Sequence, residues 1–399
     1  MENQLLINIA KEFGTPTYVY EAEKIKAQYE QLTTSFDKQT RFFYAAKALT
    51  NVNILKYVKS LGANFDCVSI NEVKLVLRTG IDPKKVLFTP NCVALSEIEE
   101  AVKLGVHINI DNISILEQIG AKFGHSYPIF IRINPNIFAG GNYKISTGHI
   151  DSKFGISIHQ LRHILRVVKT TNIHVEGLHM HTGSEIKDIE VFIRGLEIMF
   201  DLLEDFPEVR YIDLGSGFKV AYKDDDMATD VKLMGKEVSK FVHAFKNKTG
   251  RDFELWFEPG KYLVSECGHF LVNANVIKQT VATVFVGVNS GFNHLIRPMF
   301  YNSYHKIENL SNPKGKERIY TVVGNICETD TFAWDRQLNE VREDDILVFR
   351  NAGAYGFEMS FNFNSRLKPA EVLVLEGKPH LIRKRDEFED LLRNQIEVL

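Results

Sequence analysis

Reactive side chains recur at the ends of short apolar runs in this chain. Lys47 follows the run 42–46, and its small neighbours leave room for an amine where a strand gives way to a helical stretch. The alternation of a strand predicts that Phe43, Ala45 and Lys47 share one face. Burial disfavours a charged ammonium, so a lysine there is predicted to lose its proton and to become a nucleophile that condenses with an aldehyde. A surface lysine at a strand end is the alternative for this residue alone.

Two histidines, His179 and His181, stand two positions apart at the end of a later apolar run. Alternation places them on one face, which suits a metal pair or a ring stacked on a planar cofactor. A hydrogen-bonded core histidine is the third interpretation of either residue. A metal hydrolase would need further His or Asp ligands at the ends of later strands, and those end in Gly and Glu. Metal binding is therefore the less favoured interpretation.

Glycines and a carboxylate end the last two runs of this series. Gly215 and Gly217 would let backbone N–H groups approach an anionic group such as a phosphate, although a plain tight turn explains them equally well. Glu258 precedes a Pro-Gly turn that fixes the direction of its carboxylate. A carboxylate beside a pyridine nitrogen keeps that nitrogen protonated, whereas a helix cap or a surface salt bridge is the alternative role.

The elements that must position these side chains form a regular series. Eight apolar runs rich in β-branched and aromatic residues are each followed by a stretch with helical spacing. The predicted strands are 42–46, 64–69, 86–89, 108–111, 129–134, 175–181, 211–214 and 255–258. Eight such units predict an α/β fold of the (β/α)8 TIM-barrel type, because an open doubly wound sheet usually has fewer units. Functional residues of such barrels lie where the strands end, which is where the side chains described above occur.

The remainder of the chain predicts a second domain. After Cys267 strands follow one another with little helix between them, at 270–277, 283–288, 319–323, 346–350 and 370–375. This pattern predicts an antiparallel β-sandwich or β-barrel, which a strand at 17–20 is expected to join. The predicted domains are a barrel at 30–280 and a β domain made of 1–29 and 281–399. The segment 136–150 contains a Gly-Gly pair and has the length of a lid.

Three segments of the β region carry reactive side chains. Arg297 precedes a proline and is a forked cation suited to a carboxylate. Cys327 and Glu328 stand together in a loop that starts with glycine, where the thiol could act as an acid, although a buried apolar cysteine is the commoner role. Tyr355 lies in a Gly/Ala-rich segment and could contact a phosphate or fill a domain interface.

Composition limits the classes of function. The 399 residues carry a formal net charge of -3, which argues against nucleic acid or an anionic membrane as the main partner. The four cysteines follow neither zinc spacing nor a disulfide framework, so a reducing compartment is expected. The sequence contains neither a signal-like N-terminus nor an apolar run of about 18 residues. A cytoplasmic protein with a small-molecule substrate is the prediction.

Taken together, these residues resemble the fold-type III pyridoxal-phosphate decarboxylases, and most closely the branch that acts on diaminopimelate. The family fold is alanine-racemase-like, a TIM barrel followed by an antiparallel β domain. The similarity extends from residue 13 to residue 372. It rests on a combination of motifs: YAAKA at 44–48, FDCVS at 65–69, SKFG at 152–155, GLHMHTGS at 177–184, EPG at 258–260, CE at 327–328 and AGAYGF at 352–357.

The resemblance implies roles around pyridoxal 5'-phosphate. Lys47 would hold the cofactor covalently, His181 would stack on its ring, and Glu258 would pair with the ring nitrogen. Further cofactor contacts would come from Asp66, Ser184, Gly215, Gly217, Gly260, Lys261 and Tyr355. Substrate contacts would come from Lys261, Arg297, Tyr301, Glu328 and Tyr355. Cys327 would donate a proton after carbon dioxide leaves, so that Lys47, His181 and Cys327 are the implied catalytic residues, with no metal.

The resemblance also implies a reaction and an assembly. The D-configured centre of meso-2,6-diaminopimelate would lose its carboxylate to give L-lysine, the last step of lysine biosynthesis. The second subunit of a homodimer would supply Cys327 and Glu328, so a monomer would be inactive. The chain departs from the family pattern at Lys261, where arginine is usual, which turns a bidentate contact into a point contact. Ser216 interrupts the usual glycine triplet, and NSGF at 289–292 replaces a run that contains Asp.

Three alternatives remain at the level of sequence. The same cofactor could serve a related substrate, such as a carboxylated polyamine precursor, ornithine or a D-amino acid. A non-catalytic regulator is disfavoured because it would have no use for Lys47 or Cys327. A metal hydrolase predicts stoichiometric zinc.

Overall fold

The computed structural model describes residues 1–137, 152–183, 186 and 188–399. Most of the glycine-containing segment 136–150 and all of Ser184 lie outside these ranges. The strands, in chain order, are β1 (Thr17–Glu21), β2 (Arg41–Ala45), β3 (Asn64–Cys67), β4 (Val86–Phe88), β5 (His107–Ile110), β6 (Ile129–Asn134), β7 (Ile156–Ser157), β8 (Val175–His179), β9 (Tyr211–Asp213), β10 (Glu254–Phe257), β11 (Gly268–Gln279), β12 (Val284–Val288), β13 (Ile307–Asn309), β14 (Glu317–Val323), β15 (Thr331–Asn339), β16 (Ile346–Phe349), β17 (Ala370–Leu375) and β18 (Lys378–Arg383).

Several helices begin where a capping side chain satisfies one of the first backbone N–H groups. Ser69 accepts from Glu72 N–H and Asn112 accepts from Ile115 N–H, as N-cap residues do. The helices, in chain order, are α1 (Asn3–Phe13), α2 (Ala22–Ser35), α3 (Val52–Ser60), α4 (Ile70–Leu77), α5 (Leu95–Leu104), α6 (Ile113–Phe123), α7 (Leu161–Thr171), α8 (Ile189–Leu202), α9 (Val231–Thr249), α10 (Lys261–Val264), α11 (Arg297–Tyr301) and α12 (Phe388–Leu392). None of the helices among the described residues is long and apolar enough to cross a membrane.

Eight parallel strands close into a barrel, which confirms the predicted fold. The strands pair in the order β2-β3-β4-β5-β6-β8-β9-β10, and β10 pairs with β2 to complete the ring. Each observed strand lies within two residues of its predicted bounds. Apolar side chains of several strands pack together in the core, namely Phe43, Leu87, Phe130 and Trp256. Because all strands run in one direction, their carboxyl ends lie at one face of the barrel.

The chain divides into two compact units. The barrel unit comprises residues 26–220 and 227–263, and the sheet unit comprises residues 1–25, 221–226 and 264–399. The division at 263 differs from the predicted barrel limit of 280. The reason is β11, which pairs with β1, β12 and β16 and therefore belongs to the sheet unit.

The sheet unit is built around the N-terminal strand β1. As predicted, β1 joins the C-terminal strands, pairing antiparallel with β11 and parallel with β17. The remaining strands extend the sheet in the order β15-β14-β12-β11-β1-β17-β18. Most pairings of the sheet are antiparallel as predicted, whereas the pairs β1–β17 and β12–β14 are parallel. Helix α1 contributes Leu6 and Ile9 to the core of this unit.

Candidate active site

Lys47 lies at the carboxyl end of the first barrel strand, beside an acidic side chain. Strand β2 ends at Ala45, and a turn of 3-10 helix at Ala46–Ala48 carries the lysine, so the predicted strand alternation does not reach it. Its amine donates to Asp66 Oδ2 at 2.9 Å. The Lys47 side chain is 39% exposed whereas that of Asp66 is fully buried, so the expected burial of the amine is wrong. The amine is open to an incoming aldehyde, and its position is fixed by a buried carboxylate.

The pKa of Asp66 depends on burial and on the charges near the Lys47 amine. Burial and the negative charge of Glu258 raise the pKa of Asp66, whereas Lys47 opposes the rise. The carboxyl therefore depends on the ammonium for its ionised form. The two side chains act as one unit at the barrel mouth.

His181 lies just beyond strand β8 as a neutral ring of defined tautomer. The backbone N–H of Ser216 donates to His181 Nδ1 at 3.1 Å, which leaves the proton on Nε2. Burial and the Arg132 cation lower the pKa of His181 well below its usual value. An uncharged imidazole with a fixed plane suits stacking on an aromatic ring better than it suits a proton relay.

The glycines after β9 are required by close contacts. Gly215 has φ +63°, and a Cβ there would overlap the His181 ring. Gly217 has φ +112°, and a Cβ there would come within 2.6 Å of Gly183 O. Both positions therefore need glycine for backbone conformation and for space. The loop keeps its backbone accessible in the way that a bound phosphate requires.

Glu258 follows β10 and is nearly buried, with 6% of its surface exposed. Its backbone N–H donates to Gly215 O at 2.6 Å, which ties the seventh and eighth strand ends of the barrel together. Burial raises the pKa of Glu258, and the Lys47 and Arg132 cations oppose the rise. Within the described part of the chain, Glu258 Oε1 has no hydrogen-bond partner. Gly260 lies beside Ala45, whose Cβ would be 3.1 Å from a Cβ at that position.

Arg132 and Asp213 belong to the site but were not identified from the sequence. Arg132, 6% exposed, lies in β6 opposite His179 in β8, which in turn lies opposite Asp213 in β9. Burial lowers the pKa of Arg132, while Glu258 and three aspartates oppose the change. A charged residue within an otherwise apolar strand was the available signal, since a buried arginine needs anionic partners.

The metal interpretation finds one candidate group. Of the described residues, His179, Asp213 and Glu258 form the only set of three such side chains with donor atoms within 4.8 Å of one another. His181 is not part of the set, so the described residues do not form the His179–His181 metal pair that was the less favoured alternative. Arg132 lies close enough to lower the pKa of His179, and a second cation there would be repelled. The Arg132 charge therefore disfavours a metal ion at this group.

The sheet unit carries the predicted substrate-binding arginine. Arg297 opens helix α11 and is 4% exposed. Its Nη2 donates to Ser303 Oγ at 3.3 Å, and its guanidinium lies 5.6 Å from the centre of the Tyr222 ring. In the described residues its Nε has no partner. Tyr301, at the end of the same helix, is partly exposed.

Cys327 and Glu328 are exposed on an ordered loop of the sheet unit. Asp330 organises this loop: its Oδ2 accepts from Ile326 N–H at 3.1 Å and its Oδ1 accepts from Phe292 N–H at 2.7 Å. Cys327 Sγ lies 3.5 Å from Asn364 Oδ1. The alternative of a buried apolar cysteine is therefore wrong for Cys327. The loop presents a thiol and a carboxylate outward from a fixed base.

The other predicted residues lie at turns. Tyr355 has φ +57°, a strained conformation for a residue other than glycine, and it is partly exposed. Lys261 begins helix α10 directly after the Gly260 turn. Ser184 is outside the described residues.

The residues of the barrel mouth fit pyridoxal 5'-phosphate. A protonated pyridine nitrogen needs a buried carboxylate oxygen that has no other partner, and Glu258 Oε1 is such an atom. The partly exposed amine of Lys47 can reach an aldehyde, and the glycines at 215 and 217 leave backbone accessible to a phosphate. His181 offers a neutral ring beside Gly215.

The loop that contains Gly215 and Gly217 gives a direct test of whether the site fits pyridoxal phosphate. Gly215→Ala should weaken pyridoxal phosphate binding about tenfold or more, because the new methyl group displaces His181 and strains the backbone. Titration of the apoprotein by fluorescence measures the dissociation constant. Gly250→Ala is the control, since Gly250 has φ +72° with open space around its Cβ position. Equal affinities of the two variants for pyridoxal phosphate would show that the loop at 215–217 does not bind the cofactor.

Comparison with known proteins identifies the family. The model of the pyridoxal-dependent decarboxylase, pyridoxal binding domain, matches residues 22–265. The chain is 37% identical over 405 residues to the diaminopimelate decarboxylase of Methanothermobacter thermautotrophicus, covering 98% of this chain and 93% of the relative. It is 34% identical to that of Campylobacter jejuni, covering 96% of each.

The solved structures agree with the sequence comparison. The crystal structure of diaminopimelate decarboxylase from M. jannaschii in complex with L-lysine superimposes with a TM-score of 0.90 at 30% identity, covering 98% of this chain and 94% of that one. The match covers nearly the whole of both chains. The chain therefore belongs to the diaminopimelate decarboxylase family of pyridoxal-dependent decarboxylases.

Proposed function

We propose that this protein removes carbon dioxide from meso-2,6-diaminopimelate to give L-lysine, with pyridoxal 5'-phosphate as cofactor, in lysine biosynthesis. The observation that carries the proposal is the barrel mouth, where the Lys47 amine, the neutral His181 ring and the unpartnered Glu258 Oε1 lie at the ends of three barrel strands. The relatives bear the name of this activity, and L-lysine, its product, is bound in the M. jannaschii structure.

The barrel residues have different proposed roles toward the cofactor. The chemistry that pyridoxal phosphate supplies, when bound, is an acceptor for the electron pair of the bond that breaks. Glu258 keeps the proton on the ring nitrogen, and His181 covers the ring without adding charge. Lys47 provides the amine that anchors the aldehyde, and Asp66 orients it. Gly215, Gly217, Gly260, Lys261, Ser184 and Tyr355 complete the contacts to the cofactor.

Substrate choice is assigned to side chains that match both ends of an amino diacid. The distal end of diaminopimelate carries an ammonium and a carboxylate, whereas ornithine and lysine have no distal carboxylate. Arg297 is a buried guanidinium whose Nε lacks a partner among the described residues, so a carboxylate would satisfy it. Glu328 is the complementary anion for the distal ammonium. Tyr301, Tyr355 and Lys261 are the remaining proposed substrate contacts.

The last step needs a proton donor, and we assign it to Cys327. After carbon dioxide leaves, the carbon that held it takes up one proton, which the thiol supplies and solvent then restores. Cys327 and Glu328 point outward on a loop held by Asp330, which suits delivery to a second copy of the chain. The proposal therefore includes a homodimer with shared active sites. The proposed location is a reducing compartment such as the cytoplasm, where a catalytic thiol stays reduced.

A substrate panel tests the function. Purified protein with pyridoxal phosphate should release carbon dioxide from meso-diaminopimelate, and chiral analysis should identify L-lysine. We expect kcat/KM for L-lysine, L-ornithine and carboxylated polyamine precursors to be lower by about 10⁴-fold, because each leaves the buried Arg297 without an anion. Preference for any of these amines would overturn the substrate assignment. Failure to bind the cofactor, or stoichiometric zinc in the purified protein, would overturn the reaction class.

A further inference from the structure

The proposed proton donor lies on a loop with a buried base. We call residues 324–330 of the sheet unit the thiol loop. Its tip, 327–329, is exposed, whereas Ile326 and Asp330 on either side of the tip are buried. Gly324 N–H donates to Asp330 O at 2.7 Å, so the backbone of the loop closes below the tip. The position of the thiol therefore depends on what holds this base.

A second segment of the same unit runs beside the thiol loop. We call residues 290–297 the arginine segment, because it ends at Arg297, the first residue of helix α11. The same helix carries Tyr301, and both side chains are proposed substrate contacts. Asn325 N–H of the thiol loop donates to Ser290 O at 2.9 Å. The loop with the proposed proton donor and the segment with the proposed substrate contacts are therefore neighbours.

Asp330 joins the two segments through one carboxylate. Its Oδ1 accepts from Phe292 N–H of the arginine segment at 2.7 Å, and its Oδ2 accepts from Ile326 N–H of the thiol loop at 3.1 Å. The residue is 4% exposed, so water does not replace these donors. Hydrogen bonds from backbone N–H groups to an ionised carboxylate are stronger than bonds between neutral groups. Asp330 therefore fixes both backbones relative to each other.

Two glycines allow this close contact. A Cβ at Gly291 would overlap the Ile326 side chain and would lie 2.6 Å from Asp330 Oδ2. A Cβ at Gly324 would overlap Asp330 Oδ2 and would lie 2.6 Å from Ser290 O. Neither glycine has a positive φ, so space rather than backbone conformation explains both residues. The two segments are packed against the Asp330 carboxylate from both sides.

We propose that Asp330 is a positioning residue for the decarboxylation: it fixes the thiol loop on the arginine segment, so that the proton donor and the substrate-binding guanidinium are held as one body. The inference rests on the proposed function, because that function gives Cys327 and Arg297 their roles. It adds a buried residue that acts on both through the backbone. Loss of either hydrogen bond would let the tip shift, and a displacement of about 1 Å can slow a reaction about 10²-fold.

Asp330→Asn tests this role with little change of shape. The amide accepts through its oxygen, but its N–H₂ group cannot accept from the second backbone N–H. With meso-diaminopimelate we expect kcat to fall about 10²-fold and KM to rise, while the absorbance of the bound cofactor stays unchanged. In the Cys327→Ala background the same substitution should raise KM without a further fall in kcat, because the thiol through which it acts is absent. A further fall in kcat there would overturn the proposal.

Hydrogen exchange of the apoprotein tests the link without turnover. Mass spectrometry should show faster exchange in Asp330→Asn at the thiol loop and the arginine segment together. Asp345→Asn is the matched control, since Asp345 Oδ2 accepts from Arg342 N–H at 2.8 Å and from Asn309 Nδ2 at 2.8 Å in the same unit. The control should leave kcat, KM and the exchange of both segments unchanged. Faster exchange in only one segment of Asp330→Asn would overturn the link.

Folding is checked by circular dichroism. If Asp330→Asn does not fold, Gly291→Ala replaces it, because the new methyl group separates the two segments while the carboxylate remains. The same changes in kcat, KM and exchange are expected. Wild-type values in the variant that folds would overturn the role of Asp330. A wild-type protein that releases no carbon dioxide from meso-diaminopimelate would instead overturn the proposed function, and the exchange experiment would still decide whether Asp330 joins the two segments.

Discussion

Replacing Lys47 with alanine should abolish the visible absorbance of the bound cofactor and reduce decarboxylation by about 10³-fold or more. The amine is the group that anchors the aldehyde, and it lies 2.9 Å from the buried Asp66. Its loss removes the covalent link and leaves the Asp66 carboxylate without its cation. Absorbance spectra and mass spectrometry after borohydride reduction measure the covalent adduct, and release of carbon dioxide measures turnover.

The matched control for this variant is Lys74→Ala. Lys74 also pairs with a carboxylate, Glu100 Oε1 at 2.6 Å, and its side chain is 49% exposed. An exposed ion pair contributes at most about 1 kcal/mol, so this variant should keep the wild-type spectrum and rate. A covalent adduct that persists in Lys47→Ala would place the anchor at another amine and remove the basis of the proposed chemistry.

Replacing Cys327 with alanine should leave cofactor binding intact and reduce kcat by about 10²-fold to 10⁴-fold. The thiol is assigned to protonation of the product, a step that follows the loss of carbon dioxide. Cys327 is exposed and no cofactor contact is assigned to it, so its removal should leave cofactor binding unchanged. Spectral titration of the cofactor and steady-state kinetics separate the two effects.

Cys92→Ala is the control, because Cys92 is the other exposed cysteine of the chain. Mixing inactive Lys47→Ala chains with inactive Cys327→Ala chains adds a test of the assembly. If each site takes Lys47 from one subunit and Cys327 from the other, equal mixing should restore about a quarter of the wild-type activity, because half of the dimers contain one complete site. Unchanged turnover in Cys327→Ala, or no recovery on mixing, would refute the assignment.

The barrel could be predicted from the sequence because its strands are buried on both faces. Such strands are short runs of apolar residues between helical stretches, and all eight lie close to their predicted positions. The strands β13, β15 and β18 of the sheet unit were not identified. β18 is largely exposed along its whole length, and β15 exposes Trp334, so neither shows the apolar pattern of a core strand.

The sequence located part of the candidate site, and the roles of its residues stay predictions. Lys47, His181 and Glu258 end strands, where local sequence shows what a barrel strand presents. Arg132 and Asp213 matter through partners on neighbouring strands, and such pairing is invisible until the register is known. The exposure of Lys47 also depends on a turn of 3-10 helix that strand periodicity does not reveal.

The central position of β1 has a consequence for biosynthesis of the chain. Tyr20 in β1 donates to the buried Glu371 in β17, a partner 351 residues later in the sequence. The sheet unit therefore cannot close until its final strands leave the ribosome, whereas the barrel strands are complete more than 100 residues earlier. A nascent chain would carry the edge of β1 that pairs with β17 open throughout this interval, although β11 on the other side of β1 is available earlier. Pairing across such a sequence distance is slow, so closure of this unit should be the late event in folding.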